Sequence, residues 1–248
     1  MKKLLTGIGA VAAVAVILPM FAAFEAHVVN VTATIENALY VPIKEVKFGT
    51  VFPQEQLDQF VDIALSESFK AEDRVDDIDY IIRQKPKCGL PVPNTDPVEY
   101  SAFGLADEGN EGQFYCEDEG YVILPLLCPY LSKHEVTEDG VVQENDSDGI
   151  AAFHGLPGPW TLATTIATQV KGHLAKAQQD LEDRWKLDLK VPCFGGNCAQ
   201  DWADFVTGIN PDVKDPNDYT QPKENEHQLY GCDLWIEVTG VSLPGGFG

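Results

Sequence analysis

Apolar residues in this chain recur at every second position, in short runs separated by glycines, prolines and acids. In residues 28–35, Val29, Val31, Ala33 and Ile35 fall on one face and Val28, Asn30, Thr32 and Thr34 on the other. Strand patterns also mark "VKFGTVF" (46–52) and "QFVDIALS" (59–66), parted by the turn-like "PQEQ". Further strands are expected at "IDYIIR" (78–83), "EGYVILPLL" (119–127), "WTLATTIATQV" (160–170), "RWKLDLKV" (184–191) and "CDLWIEVTGVSL" (232–243). Alternation of this kind sends successive side chains to opposite faces of a strand. The 16 prolines and 21 glycines leave little room for long helices. One segment, "GHLAKAQQDLEDRW" (172–185), predicts a short surface helix, because Leu174, Ala177 and Leu181 recur at spacings of three and four. Acidic or Pro/Gly-rich loops are expected at 86–97, 104–113, 132–149 and 208–226. With no internal repeat and no βαβ rhythm, the fold class expected is all-β. It is an antiparallel β-sandwich or jelly roll with one short surface helix and long acidic loops.

The N-terminus reads differently. Lys2 and Lys3 precede an apolar stretch from Leu4 to Ala23, broken only by Thr6 and carrying Pro19 near its end. That is a secretory signal pattern. Its length also approaches the ~20 residues of a membrane span, so an uncleaved anchor is the competing reading. "GIGAVA" within it imitates a dinucleotide fingerprint, but no strand precedes it and no βαβ unit follows. Removing the signal leaves about 225 residues, enough for one large β domain with its own core. With 17 basic and 39 acidic residues, the net charge is −22. Such a chain repels nucleic acid and anionic membrane surfaces, so membrane contact is expected only through the signal segment before cleavage. Six cysteines beyond an export signal favour disulfides over thiol chemistry.

"MFAAF", at the end of the apolar stretch, resembles the cleavage junction of the TasA/camelysin family of secreted bacterial proteins. The resemblance places the cut between Ala23 and Phe24. An alternating strand follows, then "VKFGTVFPQEQLDQFVDIALSESF" (46–69), which is similar to the early strand pair of these proteins. The similarity is good to about residue 70; beyond it the chain shares β character and a closing strand, and adds cysteines and long acidic loops. The family implies a jelly-roll subunit of extracellular fibres, either biofilm matrix fibres or bundling pili, in which the N-terminal strand of one subunit completes the sheet of the next. The implied organisation is a signal peptide at 1–23, a donor strand at 24–36 and a β-sandwich domain at 37–248. Val29, Val31, Ala33 and Ile35 would face the neighbouring subunit. Independently, a strand directly after a cleavage point is free to move, and an edge strand needs a partner that β-augmentation supplies. The simpler alternative is that residues 28–36 pair within their own domain.

No catalytic residue is nominated. Camelysin-like proteins have been called metallopeptidases, but "HEVTE" (134–138) has Glu where the zinc motif HExxH needs its second histidine, and it reads as a solvated acidic loop. His27, His154, His173 and His227 show no ligand spacing, and neither a GxSxG elbow nor a GxxxxGK[ST] loop is present. "CFGGNC" predicts a Cys193–Cys198 disulfide, since its two glycines let a small loop close. Cys88, Cys116, Cys128 and Cys232 would then form two more bridges, with three pairings open. In "ENDSDG", Glu144, Asp146 and Asp148 alternate before Gly149 like the start of an EF-hand loop, but position twelve is Gly155 rather than the bidentate glutamate. Calcium at these three residues is the one cofactor candidate, and an ordinary solvated turn is the favoured reading. Trp160, Trp185, Trp202 and Trp235 read as core residues rather than a sugar-stacking platform. The expectation is therefore a non-enzymatic extracellular subunit whose partner is a homopolymer of identical chains. The alternative is a monomeric, membrane-anchored surface binding module, and a secreted hydrolase comes last.

Overall fold

The computed structural model describes residues 33–137 and 149–242. Their strands are β1 (Leu39–Tyr40), β2 (Gln56–Leu65), β3 (Asp77–Pro91), β4 (Tyr100–Leu105), β5 (Asp107–Glu108), β6 (Phe114–Tyr115), β7 (Val122–Ile123), β8 (Leu131–Val136), β9 (Val170–Ala175), β10 (Glu182–Lys190) and β11 (Cys232–Val241). Three short α-helices interrupt them: α1 (Glu67–Ala71), α2 (Leu162–Ala167) and α3 (Trp202–Ile209). Every pair of named strands is antiparallel, so the all-β class holds.

Two sheets carry the fold. The first has the order β1-β2-β10-β8. The second is organised around β3. Its first half lies between β11 and β9, and its second half between β4 and β7. The strand period then does the rest. Val61, Ile63 and Leu65 of β2 and Trp185 and Leu187 of β10 are buried from the first sheet. From the second sheet they meet Ile78, Tyr80 and Ile82 of β3 and Val170 and Leu174 of β9 in one core. Burying each Val, Leu or Ile side chain contributes ~1.5–3 kcal/mol. A second cluster centres on Phe153, whose ring meets Tyr130, Trp202, Phe205 and Tyr219 edge-on. A third gathers Cys88, Ala106, Phe114, Leu126, Cys128 and Trp160.

Several segments depart from the sequence reading. Residues 160–170 are mostly helix rather than strand. Thr161 caps α2 by accepting from Thr164 N, while Thr165 Oγ1 donates to Leu162 O at 2.9 Å and Thr168 Oγ1 to Thr164 O at 2.9 Å. The hydroxyls of this Thr-rich run are thus satisfied locally, which removes their bias toward a strand. Conversely, the helix expected at 172–185 is absent. Leu174 belongs to β9, the chain turns at Gln179 in the left-handed region (φ 60°), and β10 then runs in the other sheet. Leu174 is buried and Leu181 exposed, so the three-and-four spacing marks no common face. "VKFGTVF" forms no strand: Gly49 sits at φ 77° and Pro42, following β1, offers no N–H for a ladder. Only Val122–Ile123 of 119–127 is strand, and "HEVTE" begins inside β8 rather than in a loop. The loops expected at 86–97 and 104–113 begin inside β3 and β4. Trp160, Trp185 and Trp202 are buried as expected, while Trp235 is partly open with Lys85 Nζ 3.3 Å above its ring.

Candidate functional site

β2 is ten residues long and pairs with β10 along nine of them. On its other side β1 meets only Leu65 and Ala64. Among the described residues, no other strand pairs with that side along Gln56–Ile63, while Val46, Phe48 and Val51 of the segment between β1 and β2 pack on the core. The direction of its backbone groups follows from two bonds. Leu65 N donates to Leu181 O across the β10 ladder, at 2.9 Å, and Ser66 N donates to Ala38 O on the β1 side, at 2.9 Å. Residues alternate, so Asp58, Phe60 and Asp62 direct N–H and C=O groups toward the open side. Their side chains lie on the outer face, where Asp58 reaches Lys186 at 3.1 Å and Arg184 stacks over Phe60 at 4.5 Å. The other long edge, β11, has a register shift between Val238 and Gly240, which bends a strand away from further pairing.

Of the expected donor residues, Ala33 and Ile35 lie in backbone with no regular structure, and Ile35 is 96% exposed. Val29, Val31, the cleavage residues Ala23 and Phe24, and the acidic residues Glu144, Asp146 and Asp148 lie outside the described residues. Among the described residues, no group of three or more His, Cys, Asp or Glu could hold a metal ion, and no helix is long and apolar enough to cross a membrane.

The cysteines divide into bonded and free. Cys193–Cys198 is a disulfide, as its glycines predict; Gly196 takes φ 86°, and Asn197 N donates to Phe194 O at 2.8 Å to close the turn. Cys88–Cys116 is a second disulfide. Cys128 and Cys232 are thiols, a correction to the expectation of six bonded cysteines. Burial first, and then the neighbouring Cys232 thiol, push the Cys128 thiol up.

Polar groups on inward strand positions are the feature the sequence reading missed. Tyr80 on β3 donates to Asp183 on β10, and Trp185 Nε1 donates to the Tyr80 hydroxyl at 2.7 Å. Burial pushes the Asp183 carboxyl up, against hydrogen bonds from Glu135 and Tyr80 that pull it down. Lys133 on β8 is fully buried; its Nζ donates to Thr168 O at 2.9 Å, and desolvation pushes it down to about 8. His154 bridges Ala151 O at 2.9 Å and Gln84 Oε1 at 2.7 Å, and burial holds it down at about 3. Hydrogen bonds such as Tyr80 to Asp183 and Gln84 to Leu131 O tie the two sheets together inside the core. The available signal was parity: Lys133, Glu135 and Asp183 share the inward period of Leu131, Trp185 and Leu187.

No protein-family model, curated protein or solved structure matches the chain.

Proposed function

We propose that the chain is an extracellular structural subunit, a jelly-roll β-sandwich that polymerises into a pilus-like or matrix fibre by donor-strand complementation. The observation that carries this reading is the open edge of β2. Along Gln56–Ile63, alternate residues, Asp58, Phe60 and Asp62 among them, direct backbone groups to a side without a strand partner among the described residues, beside a strand of only two residues. An extended segment of a neighbouring subunit adds there as a strand, its main chain making the ladder and alternate side chains giving register. The donor is residues 24–36 after cleavage at Ala23–Phe24, with Val29, Val31, Ala33 and Ile35 facing inward. Two disulfides and a net charge of −22 suit a subunit working outside the cell.

The test compares Val31→Asp with Val28→Asp in exported protein. An unpaired carboxylate in an apolar groove costs several kcal/mol, so Val31→Asp abolishes filaments by electron microscopy and leaves circular dichroism unchanged. Val28→Asp, on the opposite face, still assembles. Filaments formed by Val31→Asp would overturn the donor assignment, and an unfolded Val31→Asp monomer would return the strand to its own domain.

A further inference from the structure

Cys128 and Cys232 are remote in sequence and adjacent in the fold. Cys128 opens the short 3-10 turn Cys128–Tyr130 that leads into β8, and Cys232 opens β11. Leu126 and Gly231 form a parallel bridge, with Gly231 N donating to Pro125 O at 3.2 Å. Cys232 lies opposite Pro86 on β3, and Cys128 Sγ contacts the preceding carbonyl, Lys85 O, at 3.5 Å. The two sulfurs therefore converge on the same point of β3, and both pack in the cluster that contains the Cys88–Cys116 disulfide.

We infer that Cys128 and Cys232 form a dithiol site that a small-molecule disulfide oxidant closes into a third, internal disulfide. The inference does not depend on assembly. The balance is one of exchange. The Cys232 thiolate attacks one sulfur of the oxidant, expelling the first thiolate and forming a mixed disulfide. The Cys128 thiolate then attacks Cys232 Sγ and expels the second. The two protein protons end on the two released small thiols, and the oxidant's S–S bond is replaced by Cys128–Cys232. Burial sets the order, since Cys232 is partly exposed and Cys128 is wholly buried. Lys133 is among the charges that act on Cys128. Burial pushes the Cys128 thiol up, and the Lys133 charge, anchored on Thr168 O at 2.9 Å, draws it back.

Full-length exported protein, purified without reductant, is incubated with and without oxidised glutathione, then denatured and alkylated. The expected result is two alkylated thiols without oxidant, at Cys128 and Cys232, and none with it. Unreduced peptide mapping then finds Cys128 joined to Cys232. Recovery of that bond from untreated protein would show the pair already joined and overturn the dithiol assignment. Closing so long a loop raises the thermal midpoint by about 5–15 °C. Cys232→Ser shows no such rise on oxidation. Links from Cys128 or Cys232 to Cys88 or Cys116, glutathione adducts that persist, or two thiols surviving the oxidant would each overturn the assignment.

Discussion

Tyr80 donates its hydroxyl to the Asp183 carboxyl across the core, so one hydrogen bond ties β3 of the second sheet to β10 of the first. Trp185 Nε1 donates to the Tyr80 hydroxyl oxygen at 2.7 Å. Tyr80→Phe leaves two buried polar groups short of a partner. It should lower the unfolding free energy by about 1–3 kcal/mol, read from urea denaturation, with no loss of far-ultraviolet β signal.

Gly172 faces Tyr80 in the β3–β9 ladder, and a Cβ there would run into the tyrosine ring. Gly172→Ala should destabilise the protein by about 1–3 kcal/mol through overpacking. Combined with Tyr80→Ala, the cost should fall well below the sum of the two single changes, because the clash disappears with the ring. Additive costs would contradict the contact.

His154 and Asp183 should give stability opposite dependences on pH. The folded His154 value, about 3, lies below its ordinary 6.5, so its neutral form is the one folding favours. Its contribution is present above about pH 6.5 and is lost as pH falls toward 3. Asp183 is raised, chiefly by burial. Its contribution is present below the ordinary carboxyl range near pH 4 and is lost as pH rises above it. Unfolding free energies measured from pH 3 to 7 should show the acid-side loss shrink in His154→Gln. In Asp183→Asn the loss on raising pH should shrink instead. Unchanged slopes in both variants would refute the assignments.

Asp62 sits on the open side of β2, where its N–H faces away from β10. Asp62→Pro removes that donor without touching the β10 ladder, as edge strands tolerate. It also loses the Arg184 contact of 3.7 Å, an exposed pair worth ~0–1 kcal/mol. The variant should stay folded and fail to form filaments, whereas Asp62→Ala, which keeps the N–H, should form them. Filaments from Asp62→Pro would place the acceptor edge elsewhere.

The long strands were legible because their alternation is local. β2, β3, β10 and β11 fall where Val61, Ile63, Ile78, Tyr80, Trp185, Leu187 and Trp235 recur at every second position. The Cys193–Cys198 bond was legible for the same reason, since a short glycine loop holds both partners. Period alone failed at 160–170 and 172–185. In the first, threonine hydroxyls bond to carbonyls three and four residues back and admit a helix. In the second, Leu174 and Trp185 are drawn into the core from different sheets, which outweighs helical spacing. Strand β8 escaped notice because its inward positions include Lys133 and Glu135, polar residues that only partners from other strands make tolerable. The sequence by itself determined which segments extend and which face of each is apolar, because those properties reside in neighbouring residues. Which cysteine meets which, which polar side chain is buried against which carbonyl, and which strand edge stays open depend on contacts between segments far apart in the chain. Only the packing of the two sheets brings those segments together.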